Sequence, residues 1–268
     1  MTHGAEILWT MVGDGVLDVP LIWISPQIMD ARIRGIFSVL SGVGKSRVGV
    51  YCLGVFSSIL DLLFPPKCFF CRRVLHDSCD ECCEKCLETL PYTEFGGMQE
   101  GDYFDFCISP FYYRDNVRKS ILRFKFANAP HFATLYGKIL ADCIIEYPDI
   151  HYDTITWVPL SVKRKRSRGY DQAKLLALET ANNLDDEAVQ TLTKTYDVQP
   201  QSYLRGIEER RRNISGAFEV SSLEYVSGKT ILLIDDIITT GSTLSECAKV
   251  LLEAGANNVI CATLARKE

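Results

Sequence analysis

Residues 230–243, TILLIDDIITTGST, decide how this chain is read. Ile231 to Ile234 form an unbroken apolar run rich in β-branched residues, the pattern of a central strand buried on both faces. Two carboxylates, Asp235 and Asp236, follow at what reads as its carboxyl end. Then comes a turn of small and hydroxyl-bearing residues, Thr239, Thr240, Gly241, Ser242 and Thr243. A helical period starts at once: Leu244, Cys247, Ala248 and Leu251 share one face, and Gly255 is a natural stop. A strand, acids, a hydroxyl-rich turn and a helix N-terminus together make an anion site. The first helical turn offers unpaired N–H groups and the positive end of the helix dipole, and small residues let a phosphate approach. The acids stand where they can accept hydrogen bonds from neighbouring hydroxyls or help to hold a metal.

This order resembles the phosphoribosyl-pyrophosphate motif of type I phosphoribosyltransferases. The resemblance implies that Thr239 to Thr243 wrap a 5′-phosphate and that Asp235 and Asp236 contact the ribose 2′- and 3′-hydroxyls.

Outward from this stretch, strands alternate with helices. Cys107–Tyr113, Thr154–Leu160, Val189–Thr193 and Val259–Leu264 read as strands. Val117–Phe126 mixes bases with apolar residues, and His131–Tyr147 and Asp171–Leu184 read as helices. Such alternation predicts an α/β fold with a parallel sheet, whose ligands bind at the carboxyl ends of the strands. The basic run Lys163-Arg164-Lys165-Arg166-Ser167-Arg168 leaves the strand ending at Leu160. A loop over 199–213 ends in Arg210-Arg211-Arg212-Asn213. A charge run by itself is usually a solvated face. Two arginine-rich loops converging on the phosphate turn of a chain with net charge −5 point instead to a polyanion pocket, for pyrophosphate or a nucleic-acid backbone.

The cysteines mark a second unit. Of eleven, six crowd into residues 68–86, after Pro65-Pro66. That clustering points to a metal rather than a disulfide framework, and to a reducing, cytoplasmic compartment. Cys68-x2-Cys71 and Cys83-x2-Cys86 each place two thiolates on one turn, and together complete a tetrahedral zinc knuckle. Cys79-x2-Cys82 is a competing second half and His76 a spare ligand. Cys83 and Cys86 are favoured because Leu87–Pro91 then runs on as a short helix. The metal would replace a core that so small a segment cannot build.

Three regions follow: an extension over 1–47, disordered or loosely packed; a helix plus zinc knuckle over 48–94, joined by a polar linker from Glu94; and a phosphoribosyltransferase-like domain over 95–268. Within the extension, Gly42–Ser46 partly matches a P-loop, but Val39 replaces its first glycine. The uncharged run 48–60 is shorter than the roughly 20 residues of a membrane span. It reads as an amphipathic helix over about 48–64, and no stable membrane span is expected.

Several motifs together resemble the ComF family of competence-associated, phosphoribosyltransferase-like proteins. LDLLFPPKCFFC resembles that family's entry into the zinc knuckle, YRDNVRKSILRFKF its short basic helix, PLSVKRKRSRGYDQA its R-G-aromatic-N-Q segment, and ERRRNISGAF its R-x-x-N-x-x-G-A-F segment. The match covers about residues 58–266. Asp171 stands where the family has Asn and inherits no role, and residues 1–47 have no counterpart. The resemblance implies binding of phosphoribosyl pyrophosphate with Mg²⁺, a structural Zn²⁺, and a role in competence and DNA uptake alongside other uptake proteins. It implies that Lys163, Arg164, Arg166, Arg168, Gly169, Gln172, Arg210 and Asn213 bind pyrophosphate or a DNA backbone. The alternative is a non-catalytic single-stranded-DNA-binding or adaptor protein using the same basic rim. Tyr170, Tyr203 and Phe218 are then candidates to stack bases, with Phe218 better suited to the core.

Overall fold

A computed structural model describes residues 65–75, 81–147, 150–195 and 216–268. The extension over 1–47, the helix expected over 48–64, His76, Cys79, Tyr203 and the loop with Arg210 and Asn213 lie outside them.

The apolar run becomes the middle of β6 (Thr230–Ile238), with Ile231 to Ile234 fully buried. Parallel partners flank it: β3 (Thr154–Trp157) on one side and β7 (Asn258–Arg266) on the other. Beyond β7 lie β1 (Cys107–Ile108) and β2 (Phe111–Tyr112), both parallel to it. This five-stranded sheet is wholly parallel in its strand pairing, as the alternation of elements predicted. Leu232 and Ile234 point into one core with α3 (Phe132–Ile145) and α5 (Gln172–Asn183). Ile231 and Leu233 point into the other, with α6 (Ser242–Glu253). Both faces are covered, so the strand has no polar alternation.

Three elements depart from the sequence reading. The strand expected over 107–113 is split, because Pro110 has no N–H for the ladder and Thr93 takes the Ser109 and Pro110 carbonyls instead. The strand expected over 189–193 is displaced. Ala188 forms only a bridge to Ile155, and β4 (Leu192–Lys194) turns away to pair antiparallel with β5 (Phe218–Val220). The basic run is not a loop but α4 (Val162–Arg168). Ser161 accepts the Arg164 N–H as N-cap, Lys and Arg are good helix formers, and Gly169 ends the helix in the left-handed conformation at φ 85°.

The knuckle segment does not stand apart. Cys68, Phe70, Leu75, Cys86 on α1 (Glu84–Thr89) and Leu90 share one core with α3 and α2 (Asp115–Phe126). From α2, Arg123 donates to the carbonyls of Phe69 (2.6 Å) and Phe70 (2.7 Å), and Ser120 to that of Phe69 (2.9 Å). No helix among the described residues is long and apolar enough to cross a membrane.

Candidate phosphoribosyl and metal sites

The acid pair does not end β6. Pairing with β7 continues through Asp235↔Thr263 to Ile238↔Arg266, because β7 is itself nine residues long. Rather than standing at an open strand end, Asp236 is 9% exposed and ion-paired to Lys125 Nζ at 2.8 Å. Asp235 keeps some solvent contact, and its Oδ1 accepts the Asp236 N–H at 2.8 Å. Protein packed around its carboxyl, together with the neighbouring Asp236, pushes its pKa up to about 8, against the pull of Lys125. One acid is thus balanced by a lysine and the other is held largely protonated at neutral pH.

Downstream, the turn opens on exposed Thr239. Thr240 and Ser242 share a hydrogen bond of 2.7 Å between their hydroxyls. Gly241, at φ 72°, is the N-cap of α6, and no side chain caps that helix end. A residue other than glycine would be strained there. Thr243 follows in the first turn. The sequence thus builds a helix N-terminus with no side-chain cap, flanked by the hydroxyls of Thr240 and Ser242.

A third carboxylate joins the acids. Asp171 is buried, caps α5 by accepting the Lys174 N–H (3.2 Å), and accepts the Leu160 N–H (3.0 Å) at the end of the β3 segment. Burial raises its pKa, opposed by those two N–H groups and by Lys165. Asp171 and Lys125 were both missed in the sequence. Asp before a helix is an N-cap signal. Lys125 lies four residues beyond buried Ile121, on the apolar stripe of α2, a position at which a lysine needs a buried partner.

Because the basic run is helical, its side chains spread around an axis. Lys163 and Arg166 are exposed, and Arg164 is partly buried. Lys165 acts on Asp171. Arg168 turns back to Gln172 Oε1 (2.9 Å) and stacks over Phe126. Gly169 is the C-cap of α4. Tyr170 is no free stacking surface: its hydroxyl donates to the Phe124 carbonyl and accepts the Ala129 N–H, and its ring packs beside Phe124. Phe218 is core, as its sequence context suggested.

In the knuckle, the sulfurs of Cys68, Cys71, Cys83 and Cys86 all lie within 4.8 Å of one another. A tetrahedral Zn²⁺ with bonds of about 2.3 Å needs sulfurs about 3.8 Å apart, and Cys71 and Cys83 are at 3.6 Å. The donor set therefore fits a metal such as zinc. Cys82 stands just behind, its Sγ 4.0 Å from that of Cys68. The hydrogen bond between the Cys68 and Cys82 sulfurs holds the Cys68 pKa down at about 3, whereas burial and neighbouring sulfurs push that of Cys86 up. Four thiols this close ionise together only around a cation.

Comparisons with known proteins agree with this geometry. The family "Phosphoribosyl transferase domain" matches residues 170–268, from the start of α5 through β7. The chain is 28% identical over 223 residues to "Competence protein F" of Haemophilus influenzae, spanning 75% of this chain and 96% of that protein. It is 32% identical over 167 residues to "Competence protein ComFC" of Bacillus subtilis, spanning 59% of this chain and 63% of that one. It is 37% identical over 120 residues to "DNA utilization protein YhgH" of Escherichia coli O157:H7, spanning 42% of this chain and only half of that relative. With its parallel sheet, acid pair, small-residue turn and four-cysteine cluster, the chain carries a phosphoribosyl transferase domain match over residues 170–268 and is similar to Competence protein F and Competence protein ComFC.

Proposed function

We propose that this chain binds Mg²⁺–phosphoribosyl pyrophosphate between the acid pair of β6 and the N-terminus of α6, in a cytoplasmic role connected with competence and DNA uptake. The observation that carries the reading is the uncapped end of α6. Gly241 leaves the first-turn donors and the Thr240 and Ser242 hydroxyls to an incoming 5′-phosphate, eight residues or fewer beyond two carboxylates. Asp235 and Asp236 accept from the ribose hydroxyls. Mg²⁺ neutralises the pyrophosphate, with Arg168 and Arg210 as further positive charges for a leaving group that gains charge as its bond to the ribose breaks. Zn²⁺ on Cys68, Cys71, Cys83 and Cys86 is structural. It holds the Phe69–Phe70 turn against which α2, and hence Lys125, is set.

A second reading has its own observation. Lys163, Lys165 and Arg166 are exposed on α4, beside the acid-pair rim. The same protein then holds single-stranded DNA through its backbone, alone or with other uptake proteins. Labelled phosphoribosyl pyrophosphate and single-stranded DNA, titrated into one sample and each competing against the other, separate the two. The proposal expects saturable, Mg²⁺-dependent binding of the first, and protein that binds DNA alone overturns it. For DNA, affinity should fall with salt at a log–log slope of about 0.7 per phosphate neutralised.

A further inference from the structure

Phe126 closes α2 and is 66% exposed, unusual for an aromatic residue beside a buried ion pair. It is not idle surface. The Arg168 guanidinium stacks over its ring, 5.0 Å from the centroid. That guanidinium is itself held from behind, Nη1 donating to Gln172 Oε1 at 2.9 Å. Gln172 is 1% exposed, and its Nε2 has no partner among the described residues. The preceding residue, Lys125, is the one that meets Asp236. A phenyl ring thus carries a fixed cation on one face and opens to solvent on the remainder, next in sequence to the lysine that pairs with Asp236.

We infer that Phe126 is a stacking platform for a planar heteroaromatic base, with Arg168 as both its support and the contact for an adjoining phosphate. The physical case has three parts. A ring open to water on one face gains from covering it with another π-face. Every nucleobase has such a face, and stacking tolerates any base identity. The cation bound to the ring also favours a ligand that brings negative charge, as a nucleotide phosphate does. An apolar peptide would leave Arg168, Lys163 and Arg166 unmatched. The inference requires this rim to be a ligand site, but not that phosphoribosyl pyrophosphate be the ligand. Two sources supply the shared chemistry: a free nucleotide, or a base of a single strand.

The test uses the full chain and three probes: a ten-residue oligothymidylate, an abasic oligonucleotide of equal length and charge, and thymidine 5′-monophosphate. The parent should prefer the base-bearing strand about tenfold over the abasic one, the size of one base–aromatic stack. Phe126→Ala should bring that preference close to one. Phe126→Trp adds a reporter that does not depend on the alanine variant folding. Its fluorescence should be quenched by oligothymidylate and not by the abasic strand. Quenching by the monophosphate as well assigns the platform to free nucleotides, and quenching by the strand alone assigns it to single-stranded DNA. A tryptophan indifferent to both base-bearing probes, or an undiminished preference in a folded Phe126→Ala protein, overturns the inference. Binding of phosphoribosyl pyrophosphate to the parent is scored separately, so failure of one reading leaves the other standing.

Discussion

Lys125 Nζ stands 2.8 Å from Asp236, joining the end of α2 to the central strand in a place where the side chains are only 16% and 12% exposed. The two acids of β6 are therefore unequal. Asp236 is paired directly to the lysine, whereas Asp235 accepts a backbone N–H, feels Lys125 only at longer range and has an acidic neighbour.

That inequality should appear in stability. Asp236→Ala leaves the Lys125 ammonium nearly buried and unpaired. Breaking a fully buried pair costs about 3–5 kcal/mol, so a loss toward the lower end, about 3 kcal/mol, is expected in urea unfolding. Asp235→Asn keeps the hydrogen bond from the Asp236 N–H and removes a carboxylate that ionises at a cost. Its pKa is higher folded than unfolded, so its contribution is greatest below about pH 4 and is lost as pH rises toward 8. The asparagine variant should match the parent in acid and exceed it in stability above neutrality. Equal losses for both variants at pH 8 would contradict this.

The same shift should make the proposed binding of phosphoribosyl pyrophosphate pH-dependent. Accepting two ribose hydroxyls favours the ionised Asp235, so a pKa of about 8 makes the free protein mostly unready at pH 7. Affinity for Mg²⁺–phosphoribosyl pyrophosphate should rise about tenfold from pH 7 to pH 9 and then level off. The ligand's phosphates are largely ionised throughout that range. In Asp235→Asn, binding should be weak and its slope flat. A parent protein whose affinity is level across the range would remove Asp235 from the ribose site.

Protein purified without chelators should carry about one zinc per chain by elemental analysis. Cys68→Ser should lose the metal and solubility together, because a structural site contributes folding free energy directly. Cys82→Ser should retain it, since Cys82 lies outside the four-sulfur set. Zinc loss should also weaken ligand binding, because Arg123 hangs on the Phe69 and Phe70 carbonyls two residues before Lys125. Zinc-free parent protein, or a Cys82→Ser variant that loses the metal, would contradict the assignment.

Much of this arrangement was legible in the sequence, for local reasons. Ile231–Ile234 is apolar without alternation because both faces of β6 are covered. Thr239–Thr243 is small and polar because a helix starts there, and the C-x2-C spacings encode their own turns. What was not legible depends on contacts between distant segments. The reach of β6 through Asp235 and Asp236 is set by the length of β7. The burial of Asp236 is set by a lysine from α2. The strand expected over 189–193 is displaced because β4 pairs with β5 instead of the main sheet. The helix at 162–168 had local signals, Ser161 and Gly169, which the charge run outweighed.

The central claim is that α6 and its turn hold a phosphate, and calorimetric titration of Mg²⁺–phosphoribosyl pyrophosphate into the parent and Thr240→Val tests it most directly. Valine keeps the shape of threonine but has no hydroxyl to donate. The parent should bind one equivalent, and the variant, equally stable in a thermal melt, should bind it about 1.5–3 kcal/mol more weakly. A parent that takes up no ligand, or a variant that binds with unchanged affinity, would contradict the account.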